Sequence, residues 1–140
     1  TFLVLLYYFT STKKRGDTMA WNLNSDRPIF IQIVERIEMD IISGKYKPGD
    51  KLPSVRDLAA EAAVNPNTMQ KAFTELERTG LVFSQRTTGR FITEDTSMID
   101  ELKSTLAKDK ITELLSFMQQ LGFQENEILA MIGQTMKGEK

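Results

Sequence analysis

Apolar residues recur along the chain with a helical period in five stretches and turn β-prone in one place. After Pro28, Ile29, Ile33, Ile37 and Ile41 lie four apart with Phe30, Val34 and Ile42 beside them, and Gly44 ends the run. This predicts a helix with a broad buried face. A second stripe, Val55, Leu58, Ala59 and Ala62, is half alanine, so whatever packs on it must come close, as steeply crossing helices do. The third stripe is Met69, Ala72, Phe73 and Leu76. Past Gly80 the period changes: Leu81-Val82-Phe83-Ser84 and Arg90-Phe91-Ile92-Thr93 are β-prone, and the five residues Gln85 to Gly89 join them as a hairpin loop. Helical spacing then returns in Ile99, Leu102, Leu106, Ile111, Leu114, Leu115, Met118 and Leu121, interrupted at Asp109-Lys110 and stopped by Gly122. A shorter helix follows, with Ile128, Leu129, Ile132 and Met136 on its apolar side.

The boundaries of the central stretches are marked by capping chemistry. Ser54 with Asp57 three residues on, after Pro53, announces the second helix. Asn65 caps the third, Pro66 takes its first position, where no amide donor is needed, and Gly80 closes it. Between the first two helices, Lys45-Tyr46-Lys47-Pro48-Gly49-Asp50 is a Pro-Gly turn that brings the chain back, so three helices share one core. Two short helices, a tight turn and a polar start to the second make a helix-turn-helix. Its outer face carries Asn67, Lys71, Thr74 and Arg78, with Thr68 and Gln70 on the shoulders. Amides there suit adenine edges, hydroxyls suit base or phosphate, and Lys or Arg suit guanine or the backbone. The wheel alone also fits an ordinary solvated face. A hairpin placed directly after such a pair is a wing; its polar loop, flanked by Arg86 and Arg90, suits phosphate or the minor groove, although a plain exposed hairpin would read alike.

Composition narrows the choice. The 140 residues contain neither Cys nor His, which removes disulfides, thiolate and imidazole metal sites, and Cys-His or Ser-His nucleophiles. There is no Gly-rich phosphate loop, and the carboxylates sit mostly beside Lys or Arg, so an enzyme, a cofactor or a metal centre is not expected. The net charge of −1 is not that of a basic nucleic-acid binder, but it is polarised. Lys45 to Ile92 holds eight Lys or Arg against five Asp or Glu, whereas Thr96 to Lys140 holds five against seven.

At the amino terminus, Phe2 to Phe9 is apolar and Lys13, Lys14 and Arg15 follow it. The run is far short of the ~20 residues a bilayer span needs, and its charges stand on the wrong side for a signal peptide. Residues 1–18 are expected to be a non-native or disordered leader and Met19 the true start, since codons for Lys-Lys-Arg-Gly-Asp can form a purine-rich ribosome-binding tract; a weak interfacial anchor is the alternative. Ala20 to Arg27 reads as an extended arm anchored by Trp21 and Leu23. The division expected is 19–95 as the winged helix and 96–140 as a helical tail. Two amphipathic tail helices cannot bury both faces in one protomer, so a homodimer interface built from Leu114, Leu115, Met118, Leu121, Ile128 and Ile132 is expected; an intramolecular hairpin packed on the winged helix is the alternative.

The series PIFIQIVERI, SGKYKPGDKLPSVRDLA, VNPNTMQKAFTELERTGL and the wing ending GRFIT resembles the winged-helix domain of the GntR superfamily of bacterial transcription regulators, over about Asp26 to Thr93. The asparagine-rich VNPNT segment and the short remainder look most like its YtrA-like branch. The resemblance implies a cytoplasmic homodimer that binds double-stranded DNA at a palindromic operator, often as repressor of a transporter operon including its own gene. By position, Arg56 matches a phosphate- or base-contacting arginine; Asn65, Asn67, Thr68 and Gln70 match contacts at the start of the recognition helix, and Arg86, Thr87 and Gly89 match the wing. To these the wheel adds Lys71 and the hairpin adds Arg90. Pro66 and Gln70 stand where other branches carry arginine, so base preferences do not transfer. Ala63 fills a turn position often held by glycine, at a cost of about 1 kcal/mol if its backbone is left-handed. Thr87-Thr88 replaces a glycine-rich wing tip. The tail is too short for the family's large effector domains; a small pocket between tail and winged helix for a small-molecule effector is left open, and the sequence identifies no ligand. The expected fold is mainly α, three helices plus a β-hairpin wing followed by two dimerisation helices. The competing function is a winged-helix module that contacts protein rather than DNA.

Overall fold

The computed structural model describes residues 21–138, so the leader expected over residues 1–18 lies outside the described residues. The chain divides between Glu94 and Asp95 into two compact units. In the first, helices α1 (Ile29–Ile42), α2 (Val55–Ala62) and α3 (Pro66–Thr79) precede an antiparallel hairpin of β1 (Val82–Gln85) and β2 (Gly89–Ile92). The second holds α4 (Thr96–Gln120) and α5 (Glu125–Met136).

The core of the first unit is built from the predicted stripes. Ile33, Ile37, Leu58, Met69, Ala72, Phe73 and Leu76 are fully buried, and Ile41, Ala59 and Ala62 nearly so. Each large side chain removed from water in this way contributes about 1.5–3 kcal/mol. Helix α3 is central, packing against α1, α2 and β1. Its start is fixed as expected: Asn65 Oδ1 accepts the Asn67 N–H at 2.8 Å, while Ser54 Oγ accepts the Asp57 N–H at 3.1 Å and so caps α2. Ala63, at φ 57° and ψ 46°, is left-handed, and its N–H and that of Val64 bond back to Ala60 and Ala59. The tight turn between the two helices is therefore closed at the cost foreseen for a residue with a Cβ.

Three further contacts position the arm and the wing. Gln32, on α1, is buried, and its side-chain amide donates to the carbonyls of Asn24 and Arg27 while its oxygen accepts the Asn24 N–H. That one polar side chain folds the arm onto the start of α1. Trp21 is buried as well; its indole N–H faces Glu61 of α2 at 3.5 Å, and Arg36 of α1 lies 5.1 Å from its ring centroid. The wing also gains a third strand-like partner, because Leu52 N–H donates to the Arg90 carbonyl at 2.9 Å and Ile92 N–H to that of Asp50 at 2.8 Å. Pro53 favours extended backbone at Leu52, which is what this pairing needs.

The hairpin loop is shorter than the five residues expected. Gln85 pairs with Gly89 in the ladder, leaving Arg86, Thr87 and Thr88 as the turn. Thr87 takes φ 70° and Gly89 φ 115°, which tightens the reversal so that pairing continues one residue further on each side.

In the second unit, α4 runs unbroken for 25 residues through Asp109-Lys110, about 37 Å at ~1.5 Å per residue. Its stripe is present, but none of its residues is buried. Asp95 caps it, with Oδ1 accepting the N–H groups of Ser97 and Met98. Among the described residues, no helix is long and apolar enough to cross a membrane.

Candidate nucleic-acid interface

Because Met69, Ala72, Phe73 and Leu76 all turn inward, the remaining face of α3 is forced outward. Asn67, Gln70, Lys71, Thr74 and Arg78 are exposed there, and Thr68 is half-buried. Pro66 at the first position leaves the amino-terminal end of α3 with a polar Asn-Pro-Asn-Thr rim. Asn65 is exposed, but its oxygen is committed to the cap, so its amide nitrogen is the half left for another partner.

The face is less free than a wheel implies. Lys71 Nζ stands 4.1 Å from the centroid of the Phe30 ring on α1, a cation–π contact. Thr74 Oγ1 donates to the Gln70 carbonyl at 3.0 Å and Gln70 Nε2 reaches Thr74 Oγ1 at 3.4 Å. Arg78 is bonded to Glu75 through two nitrogens; the same bonds pull the Glu75 carboxyl below its ordinary range and raise the Arg78 guanidinium. Asn67 and Gln70, near the start of α3, are thus the more open amide side chains of this face, and Arg78 belongs to a local ion pair.

The wing is tied to α3 by Glu77, a residue absent from the sequence-based site. Its carboxylate receives the Arg90 Nε–H and, at 2.9 Å, the Ser84 Oγ–H. The Arg90 guanidinium lies 5.1 Å from the Phe73 ring centroid. Arg90, expected to contact nucleic acid, is therefore half-buried and spends its charge inside the subunit, where it holds β2 against the recognition helix. Arg86 and Thr87 remain exposed at the tip. The signal for the Glu77–Arg90 pair was two opposite charges 13 positions apart across a strand, which no local pattern distinguishes from a solvated pair.

Between the amino-terminal end of α2, the middle of α3 and the wing lies an open groove of about 770 Å³. Arg56, Gln70, Thr87, Thr88 and Gly89 line it, together with Lys51 and Ser54. The structure thus brings Arg56, Gln70, Thr87, Gly89 and Arg90 to one concavity, with Asn65, Asn67 and Thr68 at the turn and first turn of α3, whereas Arg86 and Lys71 are not part of its lining. Lys51 entered the sequence reading only as a charge; its place beside the wing follows from the strand pairing of Asp50 and Leu52, a non-local contact. Among the described residues there is no cluster of acidic side chains able to hold a metal ion.

The residues expected at a dimer interface divide. Leu114, Leu115 and Leu121 are exposed, whereas Met118 and Ile132 are half-buried. Ile128 is buried within its own chain and so serves the packing of the protomer rather than a facing copy. Ile111, Phe117, Leu129, Met131 and Met136 are exposed and were not assigned to the interface.

Comparison with known proteins agrees with this geometry. The pattern of bacterial regulatory proteins, gntR family, matches residues 31–92. The HTH-type transcriptional regulator YhcF of Bacillus subtilis is 40% identical over 105 residues, covering 75% of this chain and 87% of that protein. The HTH-type transcriptional repressor YtrA of the same organism is 41% identical over 97 residues, covering 69% and 70%. Among solved structures, a GntR family transcriptional regulator from Listeria monocytogenes superposes with a TM-score of 0.76 at 39% identity, over 80% of this chain and 98% of that one. With a helix-turn-helix and a wing inside the matched residues and a solved family structure superposing over 80% of its length, the chain belongs to the GntR family of bacterial transcription regulators, in the neighbourhood of YtrA.

Proposed function

We propose that the chain is a homodimeric, sequence-specific operator-binding protein that acts in the cytoplasm as a repressor of a transporter operon. The observation that carries the DNA-reading part is the complete burial of Met69, Ala72, Phe73 and Leu76, which leaves Asn67 and Gln70 outward beside a groove holding Arg56. Amide side chains at the start of a recognition helix read adenine edges in the major groove, and arginine beside them takes guanine or phosphate. Repression follows the name of the YtrA relative, and control of a transporter operon follows the resemblance to that branch. Dimerisation follows from the tail, where Leu114, Leu115 and Leu121 stand exposed along a helix with no buried residue. A two-fold dimer would read a palindrome with half-sites about 10 bp apart or a multiple of that.

Selection of bound duplexes from a random library at physiological salt tests this directly. The expected product is a palindromic consensus. Arg56→Ala combined with Lys71→Glu is expected to weaken binding to that consensus by roughly a hundredfold or more, at about 1–3 kcal/mol per contact, while light scattering still reports a dimer. Failure to enrich any sequence, or a double variant that binds as well as the parent, would leave the protein-contacting module as the surviving reading.

A further inference from the structure

The cations of the winged-helix unit fall into two groups. Arg27, Arg36, Lys45, Arg78 and Arg90 each pair with a carboxylate, and Lys71 lies over Phe30. Lys47, Lys51, Arg56 and Arg86 make no ion pair with any described residue, and of these Lys51 and Arg56 line the groove between the wing and the start of α2. Arg56 was expected to meet nucleic acid, but Lys51 was not.

Lys51 is held there by backbone and by the absence of a side chain. The bonds from Leu52 N–H to the Arg90 carbonyl and from Ile92 N–H to the Asp50 carbonyl bracket it, and Lys51 sits opposite Phe91 as an antiparallel bridge. A Cβ added at Gly89 would stand 2.9 Å from Lys51 Cε and 3.7 Å from Nζ, so the lysine stem crosses the wing where β2 has no side chain. At φ 115°, Gly89 also has the backbone that glycine tolerates best. The ammonium is exposed, unpaired, and carried on a segment fixed to both the wing and α2.

We infer that Lys51 is a further duplex contact, its ammonium meeting a backbone phosphate of the strand that passes between the wing and the amino-terminal end of α2. This rests on the DNA-binding reading above. An unpaired cation on a rigid segment can replace condensed counterions on a phosphate, whereas a cation already paired to a carboxylate gains less from the exchange. A lysine is a point charge without the planar fork that reads a base pair, so the contact sets position and affinity rather than sequence.

The test compares wild type, Lys51→Gln and Lys51→Arg on two duplexes, one selected by the wild-type chain and one of random sequence, across a salt series. Lys51→Gln is expected to weaken both by a similar factor. It should also flatten the dependence of log affinity on log salt by about 0.9 per bound subunit, so that between about 50 and 200 mM salt the wild type loses roughly 3.5-fold more affinity per subunit. Lys51→Arg should restore the slope. As a readout on the unaltered chain, lysine acetylation followed by mass spectrometry should show Lys51 protected by duplex, while Lys47, exposed and outside the groove, stays reactive. An unchanged slope in Lys51→Gln, a loss confined to the selected duplex, or an unprotected Lys51 overturns the inference and leaves the regulator reading standing. Wild type that binds neither duplex overturns both.

Discussion

The two units obey the same helical periodicity and treat it in opposite ways. In the winged-helix unit the apolar stripe of α3 is wholly inside, at 0% exposure for Met69, Phe73 and Leu76. In the tail the longer, interrupted stripe of α4 stays open, with Ile111 and, just past the helix end, Leu121 more than half exposed. The first unit has enough elements around α3 to close over it, with helices on two sides and a strand on a third. The second has two helices, too few to enclose a core. An apolar stripe is thus a statement of demand, and whether it is met within the chain depends on how many other surfaces the fold supplies.

The largest effect expected from this contrast comes from emptying the closed core. Phe73→Ala should cost about 3–5 kcal/mol and loosen the floor on which Arg90 rests. Thermal melting should show the winged-helix signal lost first while the helicity of the tail persists. A single concerted loss of both would show that the two units do not fold independently. Next in size is a break of the open stripe. Leu114→Glu with Leu121→Glu should give monomers by light scattering, leave the melting of the winged helix within about 0.5 kcal/mol, and weaken binding to a palindromic duplex far more than to an isolated half-site. Unaltered dimers would place the interface elsewhere.

Smaller effects sharpen the comparison within the first unit. Ala63 holds a left-handed conformation that glycine adopts without penalty, so Ala63→Gly should raise stability by up to about 1 kcal/mol in urea unfolding. The gain is reduced by the extra freedom of glycine in the unfolded chain. No such gain is expected in the tail, where Gly122 already fills the left-handed position after α4.

The smallest concerns the cap of α4. Hydrogen bonds from the Ser97 hydroxyl and from the N–H groups of Met98 and Ser97 hold the Asp95 carboxyl below its ordinary range. A carboxyl depressed in the folded state stabilises above its unfolded pKa and loses that contribution as pH falls through the folded one. Fraying of the first turn of α4 should therefore appear only on acidification below the usual carboxylate range, as loss of amide protection at Ser97 and Met98. Asp95→Asn, which caps without titrating, should remove the pH dependence but keep the helix.

Much of the fold was legible because it is local. Capping by Ser54 and Asn65, the helix ends at Gly44 and Gly80, and the inward stripes all follow from spacing and side-chain chemistry within one or two turns. The outward polar face of α3 was legible for the same reason, as the complement of a stripe. What was missed involves distance along the chain. Gln32 looked like a misplaced polar residue until the arm lay across it, and Arg90 looked like a free cation until Glu77 stood opposite. The tight turn at Thr87 looked like a longer loop because a threonine seldom adopts positive φ. Ile128 could not be told from its exposed neighbours in α5, since a helical wheel ranks faces but does not say what covers them.

Periodicity and capping residues determine where this chain is helical, which side of each helix avoids water, and that α3 must show an amide-rich face. These are short-range consequences of backbone geometry and solvation. Only the tertiary structure decides which cations remain available: pairing Arg90 with Glu77, placing Lys71 over Phe30 and laying Lys51 across Gly89 depend on contacts between segments far apart in sequence. Charge acts through space, and its partners are chosen by the fold.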